Sequence, residues 1–217
     1  MELSQILELL GKASKETAIM VIPTTILSVI IGFFPAVVLT VTDKNGLKPN
    51  KLIYTIFDFI INTLRSLPFL ILMIAIIPFT RLVVGKSLGP VAAIVPLTVA
   101  SAPFIARIIE TALKEVDKGV IEAAKSFGAS NTQIIFKVML KEAVPSIVSG
   151  VTLALISIIG YSAMAGSIGA GGLGDLAVRY GYQRWKPELM GVTVVVLIIL
   201  VQLLQSLGNY LYKKLSK

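Results

Sequence analysis

The sequence predicts an all-α polytopic membrane protein with five transmembrane helices and short helices in a cytoplasmic loop. Two observations carry that fold class. The 217 residues are 55% hydrophobic and 15% charged, with a mean hydropathy of +0.87, which is too apolar for a soluble domain of this length. The apolar residues also gather into uncharged runs of about 20, the length needed to cross a hydrocarbon core of roughly 30 Å.

Taken in order, the runs predict spans at Thr17–Val41, about Leu67–Val84, about Leu88–Ile109, Val144–Ile168 and about Leu189–Tyr212, all within one membrane domain at 13–208. The segment "LIYTIFDFIINTLRS", between spans one and two, sets Thr55, Asp58, Asn62 and Arg65 at helical spacing and reads as an amphipathic lead-in along the interface. Joined to span two it would form about 50 Å of helix, too long for one upright crossing. Asp58 and Arg65 share a helical face and read as interfacial anchors. Prolines 23, 35, 68, 78, 96, 103 and 145 lie in or beside the spans, where each removes a backbone donor and invites a kink. The first residues, "MELSQILELLGKASKE", begin acidic and lack the basic and compact apolar regions of a cleavable signal.

Lysine and arginine set orientation. Lys44, Lys48 and Lys51 in the first loop, Arg107, Lys114, Lys118, Lys125, Lys137 and Lys141 in the segment from Arg107 to Glu142, and Lys213, Lys214 and Lys217 in the tail fall on one side of a five-span bundle, against the fewer Lys12, Lys15, Arg81, Lys86, Arg179, Arg184 and Lys186 on the other. That side is expected to be cytoplasmic, which puts the N-terminus outside and the C-terminus inside. The net charge of +8 is read the same way, as loop anchoring and not as a nucleic-acid surface.

Histidine and cysteine are both absent, so disulfides, Cys/His zinc sites and His-dependent triads are excluded. "GYSAM" at 160–164 approaches a nucleophile elbow, but Met164 replaces its last glycine and Ser162 has no histidine base. Gly169, Gly171 and Gly174 in "GSIGAGGLGD" have the G-x-G-x-x-G spacing of a dinucleotide turn. A transmembrane helix precedes them, where that fingerprint requires a strand, and neither Asp175 nor Glu188 stands where its acidic residue belongs. These glycines read instead as the break where span four leaves the bilayer, a candidate hinge or external gate, followed by a polar external loop.

The loop at 115–142 is too polar to cross and is strongly patterned. Asp117 caps a first helix whose apolar face is Val120, Ile121, Ala124 and Phe127, with Glu122, Lys125 and Ser126 opposite. Gly128 suits the left-handed position just past its end, and Ser130 with Gln133 forms a capping box that starts a second helix. An amphipathic helix in a loop needs a surface to cover it, either the bundle or another protein.

"EAAKSFGASNTQIIFKVML", Glu122–Leu140, resembles the EAA loop of the permease subunits of ABC importers, matching at Glu122, Ala123, Ala124 and Gly128, with Val138 and Leu140 in the later apolar positions. Lys141 stands where that family usually has proline, which leaves Pro145 as the nearest substitute for the turn into span four. "LRSLPF", "IPFTRLVVG", "AAIVPLTVASAPFIAR", "GYSAMAGSIGAGGLG" and "YGY" extend the resemblance along the chain, and together they are similar to the permeases of methionine-uptake ABC transporters.

The resemblance implies a five-helix chain working with a second copy of itself in a cell inner or cytoplasmic membrane. It implies an ABC ATPase homodimer inside, a methionine-binding protein outside, and transport of methionine of both hands. By the same resemblance 118–131 is the coupling segment, with Glu122, Ala123, Ala124, Phe127, Gly128 and Ala129 meeting the ATPase. This chain needs no cofactor, catalytic residue or metal of its own, since ATP and Mg belong to the partner, and no nucleic acid is expected.

A passage for a thioether side chain needs apolar surface with few charges, which Tyr161 and Met164 beside Ser162 supply. Close helix packing accounts for the same small and apolar residues. Two alternatives stay open from sequence: an ABC permease for another amino acid or an osmolyte, and a standalone secondary transporter. The spans as drawn hold none of the central carboxylates that a secondary transporter often carries.

Overall fold

The computed structural model describes residues 3–216 and holds them in helices of very unequal length. Helix α1, Leu3–Thr42, has 40 residues and starts well before the expected Thr17, so at about 60 Å it outreaches a bilayer core. Pro23 and Pro35 lie inside α1 without ending it. Buried Thr25 and Thr40 donate their hydroxyls to the carbonyls of Val21 and Ala36, which lets polar side chains sit on an apolar helix.

The partner that buries α1 most extensively is α5, Pro90–Lys114. The two run parallel, because Met20 shares one cluster with Ala93 and Leu97 while Leu39 shares another with Ile109 and Leu113. Between them lies Gly32, where a Cβ would come 2.7 Å from the Ala102 carbonyl oxygen, so the absent side chain sets the helix spacing. Helix α5 continues five residues past the expected Ile109.

The second span differs from expectation. Helix α2, Lys51–Ser66, is capped by Asn50, whose side chain accepts from the Ile53 amide at 3.1 Å. The expected amphipathic lead-in is thus a helix with one buried residue, Ile61, and it is tied to α5 by polar contacts. Tyr54 lies 5.2 Å from the Lys114 ammonium, Asp58 pairs with Arg107, and Arg65 lies 5.9 Å from the Phe104 ring, so α2 runs antiparallel along the end of α5. Asp58 and Arg65, which share a face of α2, therefore both also reach α5.

Leu67, extended as a residue before proline tends to be, and Pro68 then turn the chain by 101° into α3, Phe69–Ala75. A second break at Ile76 starts α4, Ile77–Val84, which ends on left-handed Gly85. The expected span Leu67–Val84 is thus two short helices. Among the described residues four helices are long and apolar enough to cross a membrane, and α2 with α3, taken together across their bend, make a fifth.

After the loop helix α6, Lys118–Ser126, the chain passes through α7, Asn131–Gln133, and a wide π-helical stretch at Ile134–Met139 into α8, Leu140–Ala165. No turn occurs at Lys141, and Pro145 lies inside α8. The π-helical stretch absorbs the change that a proline turn was expected to make. The helix then breaks within Gly166–Ala170, where Ile168 and Gly169 leave helical backbone, as the glycines predicted; α9, Gly172–Asp175, follows, and a π-helical stretch at Leu176–Gln183 occupies what was expected to be a polar loop. Gly181 in that stretch packs against Met190 of α10, Pro187–Leu215, which closes the chain along α8.

Candidate functional site

At one end of the bundle the loop helix is built as its sequence predicts. Asp117 Oδ1 accepts from the amides of Gly119 at 2.7 Å and Val120 at 3.3 Å, satisfying the first turn of α6. At its far end Gly128 has φ +77°, its amide donates to the Lys125 carbonyl at 2.9 Å, and the Ala129 amide reaches back to Ala124 at 3.1 Å. These paired bonds are the Schellman arrangement, which left-handed glycine permits. Ser130 and Gln133 form both bonds of the expected capping box, at 2.8 and 3.3 Å.

The apolar face of α6 is divided. Ile121 and Ala124 pack on the core cluster around Ile134 and Met139, as does Ala129 beyond the helix. Val120 is exposed, and Phe127 is 91% exposed. Glu122 and Ala123 are exposed beside them. The expected single face thus serves two surfaces: one half fixes α6 to the bundle, and the other half projects a bare phenyl ring outward.

Beside α6 lies a charged ladder that sequence reading passed over. Glu110 of α5 is buried, and its carboxylate accepts from Arg107 and from Lys114, each at 2.7 Å. Arg107 also pairs with Asp58 of α2 and donates to Asn62 Oδ1 at 3.1 Å, while Lys114 reaches Asp43 after α1 at 2.8 Å. Asp43 is held below the usual carboxylate range, first by the Asn45 amide and then by Lys114. The spacing of Arg107, Glu110 and Lys114 on one helical face carries the signal, but the apolar run of the third span stops at Ile109 and leaves Glu110 and Lys114 outside it.

At the opposite end the glycine-rich turn is closely packed. Gly169, Gly171 and Gly172 all have positive φ. Gly174 lies against the backbone of Ala163, and a Cβ on Gly166 would come 2.5 Å from the Asp175 amide, so the turn folds back on the end of α8. The Gly172 amide donates to Glu16 Oε2 at 2.8 Å and the Leu173 amide to Thr17 Oγ1 at 2.9 Å. Side chains of α1 therefore take the amides that a dinucleotide phosphate would need. Glu16 and Thr17 are contributors that no local motif announced.

Tyr161 is half-buried and stacks on Phe69 with ring centroids 5.0 Å apart. Ser162 is buried and donates to the Ile159 carbonyl at 2.7 Å, while Met164 is 47% exposed. The expected group is split: Tyr161 and Ser162 face packed protein, and Met164 faces outward.

Residues 28–217 match the family described as binding-protein-dependent transport system inner membrane components. The chain is 48% identical over 209 residues to the probable D-methionine transport system permease protein MetI of Vibrio cholerae, covering 96% of this chain and 93% of that one. It is 46% identical over 179 residues to the methionine import system permease protein MetP of Bacillus subtilis, covering 82% and 81%. Its fold superposes with a TM-score of 0.97, at 42% identity and over 100% of both chains, on a permease-sized chain of the MetNI methionine ABC transporter solved in inward-facing conformations.

Proposed function

The chain belongs to the family of binding-protein-dependent transport system inner membrane components, and from that premise we propose that it is the permease subunit of an ATP-driven importer of methionine. The observation that carries this reading is whole-chain likeness in both sequence and shape: 42% identity with a TM-score of 0.97 over 100% of the MetNI chain. The chain is a membrane-embedded transport subunit, and ATP hydrolysis belongs to a separate ATPase partner.

The capped α6 with its exposed Phe127 supports a docking role. Its inner half is fixed to the core, its outer half presents Val120 and Phe127 among exposed polar residues, and only two residues, Val116 and Asp117, lie between Glu115 at the α5 C-cap and Lys118 at the start of α6. ATP-driven movement of a partner held at Glu122–Ala129 is delivered directly to α5. The transport step is then a rocking of packed helices that exposes the pathway alternately to either side. Met164 and the Gly169–Gly174 turn belong to the pathway or its outer gate in this reading, with the α6 end inside and the glycine-rich end facing an external methionine-binding protein. A second copy of the chain completes the passage.

The test is reconstitution with the candidate ATPase and binding protein in vesicles, scoring ATP-dependent uptake of L- and D-methionine against other amino acids. Uptake without the ATPase would replace this reading with a gradient-driven transporter. ATP-dependent uptake of another solute would keep the assembly and discard methionine.

A further inference from the structure

The ladder of ion pairs ties three separate elements together at the end that carries α6. Glu110 is its centre, buried on α5 and shared between Arg107 one turn before it and Lys114 one turn after it. Each cation then reaches a different element: Arg107 to Asp58 and Asn62 of α2, and Lys114 to Asp43 in the loop that leaves α1. Asn62 also donates to Asp58 at 3.1 Å, which fixes the carboxylate that Arg107 uses. Glu110 is thus the fixed point from which both cations are held: without it Arg107 keeps Asp58 and Asn62 and Lys114 keeps Asp43, but each loses the short buried bond that orients its long side chain.

Two neighbouring facts give the ladder a consequence for movement. The α5 helix ends at Lys114 and α6 begins at Lys118, so any displacement of α6 acts on the rung that holds Lys114. On the other side, α2 continues through the Leu67–Pro68 bend to Phe69, whose ring stacks on Tyr161 of α8.

We infer that Glu110 is a positioning residue for the transport stroke: by holding Arg107 toward Asp58 of α2 and Lys114 toward Asp43 it makes α6, the end of α5, α2 and the loop after α1 move as one block. A force applied at α6 then reaches the Phe69–Tyr161 contact through α2 and not through α5 alone. With Glu110 neutral, Arg107 and Lys114 are no longer held in place and the rungs to α2 and Asp43 loosen, so α5 and α6 still follow the ATPase while α2 lags, and ATP is hydrolysed without a complete opening of the passage. This inference rests on the importer reading and adds the route by which the stroke is carried.

The experiment compares the unmodified complex with Glu110→Gln in vesicles, measuring methionine imported per ATP hydrolysed. Coupling free energies between sites commonly correspond to about 5- to 150-fold, so the expected result is a fall of about fivefold or more in that ratio with hydrolysis retained. Because the chain has no cysteine, Asp58→Cys with Arg107→Cys can replace the charged rung by a short bis-thiosulfonate cross-link. The uncoupled pair is expected to regain its import ratio once cross-linked.

An unchanged ratio in Glu110→Gln overturns the inference, and so does a cross-link that abolishes import, which would mean that α2 and α5 must slide. A spin-label distance between Leu52 and Thr111, both exposed, reads the same question with the ATPase alone. It should stay constant between nucleotide-free and ATP-bound states in the unmodified complex and change in Glu110→Gln. A change in the unmodified complex overturns the block even when methionine proves not to be the solute, whereas absence of ATP-driven methionine uptake with a constant distance overturns only the functional reading.

Discussion

Phe127→Ala separates docking from folding more cleanly than any other change in the loop. The ring is 91% exposed and makes none of the core contacts that hold Ile121, Ala124 and Ala129, so its removal should alter the stability of the isolated permease by no more than about 0.5 kcal/mol. In a complex where the ring fills a cleft of the ATPase, about 150 Å² of apolar surface leaves water, an upper limit of about 4 kcal/mol at ~25 cal/mol per Å². Anchor residues at interface centres commonly cost about 2–4 kcal/mol on truncation, which is about 30- to 1000-fold in Kd. The assay is the affinity of detergent-purified permease for its ATPase, with thermal unfolding of the permease alone as the control. Equal affinity in Phe127→Ala and wild type would refute the assignment of this ring, and a large drop in Tm would show that the ring supports the fold instead.

Three further outcomes follow from the geometry. Gly128→Asp places a Cβ at φ +77° and an acidic group at the C-terminal end of α6, where the helix dipole disfavours it; uptake should be lost while membrane insertion, followed by fractionation, stays intact. Gly174→Ala puts a methyl group against the backbone of Ala163, 2.7 Å from its carbonyl carbon, and such overpacking costs about 1–3 kcal/mol. At about 2–4 °C per kcal/mol for a chain of this size, Tm should fall by several degrees, and an unchanged Tm would mean that the turn yields freely. Asp43 has its carboxylate pKa lowered in the folded state by the Asn45 amide and Lys114, so it stabilises above the ordinary carboxylate range and loses that effect as pH falls through its folded pKa. The Tm difference between wild type and Asp43→Asn should therefore shrink on acidification, measured from neutral pH to about pH 3.

Local chemistry and distant chemistry were not equally readable in the sequence. The caps of α6 and α7 depend on residues within five positions of one another, so Asp117, Gly128, Ser130 and Gln133 announced their bonds before any tertiary contact was known. Long apolar runs likewise located α1, α5, α8 and α10, because about 20 apolar residues in succession have few other uses. Hydropathy failed at the second span for a physical reason: it averages over Pro68 and Ile76, where the backbone turns, and it carries no sign that Asp58 and Arg65 reach α5. The same weakness hid Glu110, since a carboxylate ends an apolar run by composition whether it meets water or two cations.

What decides these cases is a pairing between residues 49 positions apart, Asp58 with Arg107, or 156 apart, Glu16 with Gly172, and no window of local sequence contains both members. The glycine turn shows the opposite error of the same origin. Its spacing imitates a phosphate cradle, yet Glu16 from the far end of the chain accepts from the Gly172 amide. A short motif states which backbone groups are offered, and only the tertiary partner determines what takes them.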